Sequence, residues 1–328
     1  MKKKITFVAF LMIAVSVAVF ANAAGENKYP AKDIQFVVSS SAGGGTDAIC
    51  RKIGQLAEKQ LGGSFYMVNK PGVDDTVGPN FVMLAKPDGY TIGSITYGPI
   101  VQGVYQNVIA GFDTKKLDYI ALITEEADAL VVSAKSPYKT LDELIAAAKA
   151  NPGQIPISEN GIGNKTTLLL TMLENKYGVK FKHLSYPNSA PQRESILNGE
   201  TIGGVSSLGD FAPLIQAGQA RGLVEFSSVR NVAFPDVPTS IELGMEPVML
   251  FSRSFVAVCA PKGMPPESIQ ALEAAFEKAV TSKEFIDWTT SIGVTQHFLK
   301  GEELRKYIDD CQTNNFKIMD DFKEQGLL

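Results

Sequence analysis

Ile34-Gln-Phe-Val-Val-Ser-Ser-Ser-Ala-Gly-Gly-Gly-Thr-Asp47 reads as a buried strand, a glycine-rich turn, and then a helix from about Ala48 to Gln60. Gly43, Gly44 and Gly45 remove every Cβ at the turn, so the backbone can approach a ligand closely. The helix that follows leaves its first N–H groups unpaired and carries the positive end of its dipole there. Such a turn can hold an anion without a charged side chain. The same residues also fit a plain strand-to-helix connection capped by Thr46 or Asp47. This stretch alone leaves both readings open.

Working outward, residues 1–23 carry Lys2, Lys3 and Lys4, an apolar run from Ile5 to about Phe20, and Ala21-Asn-Ala23. A basic start, a short apolar run and a small-x-small site define a cleaved secretory signal peptide. The run is shorter than the roughly 20 residues a membrane span needs. The expected mature protein is soluble and periplasmic. Its removal takes the net charge of −4 to about −7, and a mildly acidic chain without a basic aromatic-rich cluster lacks the footprint of a nucleic-acid binder. A length of 328 residues suggests two domains. Cys50, Cys259 and Cys311 form no CxxC pair, so a disulfide framework is excluded; one bridge stays open in an oxidising compartment, and burial as small apolar residues is the expectation.

Further strands are expected at Ser64–Val68, Thr91–Thr96 and Ala129–Ala134, with a turn at Asn69-Lys-Pro-Gly72 and a helix around 79–85. Alternation of strand and helix implies a parallel α/β sheet. Thr140 is placed to cap a helix over Leu141–Asn151. The opening theme then recurs: Ile155-Pro-Ile-Ser158 leads through Glu159-Asn-Gly-Ile-Gly-Asn164 into a helix from about Thr166 to Tyr177. Ligands of open α/β sheets lie beyond the carboxyl ends of the strands, so two such turns can grip a ligand from both sides. Arg253–Ala260 is a long strand and the candidate crossing between domains.

Catalytic and metal signatures fail one by one. His183 and His297 have no nearby Cys or HxxxH partner. Asn160-Gly-Ile-Gly-Asn-Lys-Thr166 departs from the P-loop spacing, since no glycine precedes Lys165. Gly204-Val-Ser-Ser-Leu-Gly209 has one residue too many for a nucleophile elbow. Glu125 and Glu126 would point to opposite faces of a strand, and a solvated loop is the expected place for them. No catalytic residue, cofactor or metal site is expected.

The motifs, taken in order, resemble the periplasmic solute receptors of tripartite tricarboxylate transporters, the Bug or TctC-like family. They are Tyr29-Pro30, Gly43–Asp47 with Arg51, Asn69-Lys-Pro-Gly72, Lys86-Pro-Asp-Gly-Tyr-Thr91, Thr140-Leu-Asp-Glu-Leu144 and Ala148-Lys-Ala-Asn-Pro-Gly153. Phe234-Pro-Asp-Val-Pro-Thr239, Glu242, Gly244 and Ala260-Pro-Lys-Gly-Met-Pro265 continue the series along nearly the whole mature chain.

That resemblance implies a type II periplasmic-binding fold: two α/β lobes, residues 25–127 plus 250–328 and residues 128–249, with a ligand cleft between them. It implies a receptor that captures a small organic carboxylate and delivers it to the transporter's membrane subunits; a sensory receptor of the same fold is the alternative. A monomer is expected. The ligand-binding residues it implies are Ser39, Ser40, Ser41, Ala42, Gly43, Gly44, Thr46 and Asp47 with Tyr97 from one lobe. From the other come Asn160, Gly161, Gly163, Asn164, Tyr186, Asn188 and Ser206, with Arg253 as a candidate bidentate partner for carboxylate. Asp47 fits a capping or water-orienting role better than direct contact, since carboxylate repels carboxylate.

The chain departs from the family pattern around the expected pocket. Ser39-Ser40-Ser41 stands where bulk is usual, Gly72-Val-Asp-Asp75 replaces Gly-Ala-Gly-Gly, Asn188 ends the Tyr-x-Gly segment, and Ile202 replaces a common acid. These departures point to a larger or more polar acid than the simplest family ligands.

Overall fold

The computed structural model describes residues 29–161, 164–246, 252–324 and 326; the signal-peptide stretch and Gly163 lie outside the described residues. The first part of the chain runs β1 (Ile34–Val38), α1 (Gly45–Leu61), β2 (Phe65–Asn69), α2 (Val77–Met83), β3 (Thr91–Thr96), then the short helices α3 (Tyr97–Ile100) and α4 (Gln102–Tyr105). Then come β4 (Leu117–Ser133), α5 (Leu141–Ala150), β5 (Pro156–Glu159), α6 (Lys165–Tyr177), β6 (Lys182–Ser185), α7 (Ser189–Asn198), β7 (Gly203–Ser207), α8 (Leu208–Gln216) and β8 (Ala220–Glu225). The last part is β9 (Arg253–Pro261), α9 (Pro266–Val280), α10 (Lys283–Ser291), β10 (Thr295–Leu299) and α11 (Gly301–Glu324).

The strands lie in the order β2-β1-β3-β9-β4-β7-β5-β6, with β8 and β10 also paired to β4. Two parallel groups form its flanks, β2-β1-β3 and β6-β5-β7. Ile34, Phe36, Val37 and Val38 are all fully buried, as expected of a parallel strand covered by helices on both faces. The sheet is not parallel throughout, however. β9 runs antiparallel to both β3 and β4, and β4 runs antiparallel to β7, β8 and β10. The strand–helix alternation of the flanks does not extend to these two return strands, which is why periodicity missed the change of direction.

β4 is a strand that pairs into both groups, and the expected crossing strand Arg253–Ala260, part of β9, pairs with β3 and β4. In β4, Leu117–Ala127 pair with β9, whereas Asp128–Val132 pair with β7 and Ala129–Ser133 with β8. One 17-residue strand therefore belongs to both groups and changes partners between Ala127 and Asp128. The sequence suggested a strand only from Ala129, because the polar Thr124-Glu-Glu126 interrupts the apolar run.

Helices cover each group. A core around Ile34, Phe36, Ile53, Leu272 and Phe276 joins α1 and α9 to the first group. Leu130, Ile157, Leu169 and Val205 anchor the second, in a core that continues to Val37, Ile95 and α11. Thr140 caps α5 as expected, accepting from the Glu143 N–H at 3.3 Å. All three cysteines are free, with Cys50 and Cys259 buried.

Candidate functional site

The glycine turn after β1 is built around Asp47. Gly43 takes a left-handed φ of +82° and donates its N–H to Asp47 Oδ2 at 2.9 Å. Arg51 Nε reaches the same oxygen at 2.9 Å, and Asn69 Nδ2 reaches Oδ1 at 2.8 Å. Burial pushes this carboxyl up, but Arg51, Asn69 and Gly43 outweigh it and hold it at about 2. Asp47 thus faces back into the turn as a fixed anion that shapes it. The N-cap is Gly44, without a side-chain bond. Gly45 and Thr46 follow as the first helical residues, where N–H groups have no intrahelical acceptor.

The second turn is organised in the same way by a different acid. Glu159 is buried, accepts from Gly161 N–H and Thr167 Oγ1 through Oε2, and accepts from Ser185 Oγ at 2.5 Å through Oε1. Asn164 then caps α6, accepting from Thr166 N–H at 3.1 Å. A third helix start, that of α8, is capped by Ser207, which accepts from Asp210 N–H at 3.2 Å.

These starts open onto one cleft of about 650 Å³. Gly45 and Thr46 of α1, Asn164 and Lys165 of α6, and Ser207, Gly209 and Asp210 of α8 all line it. Tyr97, Gln102, Thr124 and Phe255 lie along its walls, as do the acids Asp74, Asp75 and Glu126. The cleft straddles the point where β4 changes partners.

Thr46, Tyr97 and Asn164 are the sequence-derived site residues that line this cleft directly. Tyr97 turns its hydroxyl away, donating to Asn315 Oδ1 at 2.7 Å. Ser39 is fully buried and bonded to Ser94, its N–H donating to Ser94 Oγ at 2.9 Å. Ser40 accepts from Asn69 through its carbonyl, while Ser41, Ala42 and Gly43 are exposed at the turn. Gly44 packs against the Ser41 carbonyl, so Gly45 is the glycine that fronts the cleft. Asn160 donates its N–H to Thr166 Oγ1 at 3.0 Å, which ties the second turn to its helix. Asn188 caps α7. Its neighbour Pro187 lines the cleft between Tyr186 and Asn188, and Ser207 does so beside Ser206. Ser206 donates to Asp210 Oδ2 at 2.5 Å.

Arg253 is engaged by Glu125, whose other oxygen lies 2.6 Å from His297 Nδ1. Burial raises the Glu125 carboxyl, and His297 and Arg253 more than reverse this, holding it at about 2. Glu125 and Glu126 therefore do not sit in a solvated loop; they lie within β4, opposite Phe255 and Ser254. Glu126 packs against Gly209, where an added Cβ would come within 2.7 Å of Oε2, so only glycine lets the carboxyl lie there. Burial and the neighbouring Asp210 push Glu126 up to about 8, against weaker opposing effects of Ser207 and Lys165. Glu126 and Lys165 were missed as lining residues, whereas Asp74 and Asp75 belong to the departure expected around the pocket.

Among the described residues, no three His, Cys, Asp or Glu side chains converge as metal ligands, and no helix is long and apolar enough to cross a membrane.

A cleft between two α/β groups that share β4, with helix N-termini converging on it, defines a solute-binding protein of the periplasmic type. The model of the tripartite tricarboxylate transporter family receptor matches residues 49–323, and the chain belongs to that family. It is 31% identical over 302 residues to the UPF0065 protein in the gbd 5' region of Cupriavidus necator, covering 92% of this chain and 90% of that one. Its fold is similar to that of a TctC solute-binding protein from Polaromonas, with a TM-score of 0.75, 25% identity, and coverage of 89% of this chain and 99% of that one. The fold also matches an R. palustris protein solved with adipate, with a TM-score of 0.75, 22% identity, and coverage of 88% and 97%.

Proposed function

We propose that this chain is an exported periplasmic receptor that captures a small organic carboxylate and delivers it to the membrane subunits of a tripartite tricarboxylate-type transporter. The observation that carries this reading is the convergence of the α1, α6 and α8 N-termini on one cleft. Helix starts supply N–H donors and positive dipole ends, which suit a carboxylate without a charged partner. The adipate held by the R. palustris protein of the same fold supports the same ligand chemistry. Residues 25–127 plus 250–328 and residues 128–249 act as the two lobes, hinged where β4 changes partners and closing on the ligand as a monomer. The acids Asp74 and Asp75, which line the cleft, favour a polar acid over a simple monocarboxylate.

Native mass spectrometry of freshly purified protein is expected to show a co-purified organic acid. Small-angle scattering is expected to show compaction when that acid is restored to stripped protein. Identical profiles with and without saturating acid would overturn the closing-receptor reading.

A further inference from the structure

The converging helix N-termini explain one half of the cleft. The acids that line the rest of it are Asp74, Asp75, Glu126 and Asp210, against the single base Lys165. That lysine is already paired with Asp128, which is fully buried. Asp128 Oδ1 has no hydrogen-bond partner, so the acid behind the lysine is itself incompletely satisfied. Asp210 is held in place by Ser189 Oγ at 2.8 Å and Ser206 Oγ at 2.5 Å.

Asp74 and Asp75 stand apart. Among the described residues, the ion pairs of the chain join other groups, and Asp75 accepts only a long 3.4 Å bond from Thr96 Oγ1. Both take left-handed φ values, +47° and +56°, where a residue with a Cβ is disfavoured. Burial raises the Asp74 carboxyl, and burial with repulsion from Asp74 lifts Asp75 to about 6. Closure around a purely anionic ligand would strip water from these acids and add like charge beside them. A positive group on the ligand removes both costs. A divalent cation is disfavoured, because no set of three ligating side chains converges among the described residues.

We propose that the ligand is zwitterionic: its carboxylate meets the α1 and α6 N-termini, and a protonated or quaternary nitrogen faces Asp74 and Asp75. This rests on the carboxylate reading of the cleft and narrows it to amino-bearing acids.

The test is calorimetric titration of stripped protein with two matched pairs, adipate against 6-aminohexanoate and succinate against 4-aminobutanoate. The amino acid of at least one pair is expected to bind about tenfold or more tightly than its diacid, the size of one charge-assisted contact. Asp74→Asn with Asp75→Asn is expected to collapse that ratio toward one while the diacid binds no more weakly. Asparagine tolerates the left-handed backbone; a doubly glycine-substituted variant gives a second version if the melting temperature of the first falls. Tighter binding of the diacid in both pairs, or a preference that survives both variants, overturns the proposal. Absence of binding by all four acids overturns the carboxylate reading itself, and this one with it.

Discussion

Glu125 and Glu126 are chain neighbours in the middle of one strand, yet their carboxyls end at opposite extremes. Glu125 faces Arg253 and His297 and is held at about 2. Glu126 faces the cleft beside Asp210 and is pushed up to about 8. Both are desolvated; the difference is the partner. On one face of β4, Arg253 of β9 and His297 of β10 meet Glu125 and make a fixed structural tie among the three strands. On the other face, Asp210 of α8 adds another acid and leaves the Glu126 carboxyl poised near neutrality beside the point where β4 changes partners. Adjacent residues of a strand project to opposite faces, so β4 separates a permanent charge from a responsive one.

The largest expected effect comes from breaking the structural face. Glu125→Ala removes the carboxylate shared by Arg253 and His297 and is expected to cost about 3 kcal/mol, as for loss of one member of a partly buried ion cluster. Urea unfolding measures this, and a loss as small as that of an exposed pair would show that the cluster contributes little.

A smaller effect sharpens the cleft face. The folded Glu126 carboxyl keeps its proton up to about pH 8, far above the ordinary glutamate range. The native state therefore binds more protons than the unfolded state between about pH 4.5 and 8, and stability falls as pH rises through that window. Asp75, lifted to about 6, contributes in the same direction over the lower part of the window. Glu126→Gln is expected to flatten the upper part, raising the melting temperature relative to wild type by roughly 2–4 °C at pH 8 and little at pH 5. Parallel pH profiles for the two proteins would mean that Glu126 is ionised in the fold.

The smallest effect separates Glu126 from the helix beside it. Ser207→Ala removes the α8 cap and one group that favours ionised Glu126. A loss of about 1 kcal/mol is expected from the cap. The same variant should move the pH dependence to still higher pH, a shift that loss of the cap alone would not produce.

Much of this architecture was written locally. Ile34–Val38 declares a buried strand by its unbroken apolar run, Gly43–Gly45 declares the turn, and Thr140 with Glu143 declares a helix start. Asn164 was visible only as a candidate ligand-binding residue, and that it caps α6 came from the structure. β4 was only half legible. Its apolar end was visible, but Thr124-Glu-Glu126 interrupts the pattern, and the pairing that rescues those residues comes from Phe255 and Ser254, far along the chain. Asp47 and Glu159 were visible as acids beside glycines, but not as the acceptors that fold each turn back on itself.

The sequence by itself determined the α/β class, the two glycine-opened helices and, through the order of its short motifs, the family. Those signals lie within a few residues of one another, where propensity, capping and turn geometry act. Only the tertiary structure decided that β4 pairs into both groups and that Arg253 is tied to Glu125. It also decided that Glu126 and Lys165 line the cleft. Strand partners, burial and the charge that faces a carboxyl come from residues distant in sequence, and no local pattern encodes them.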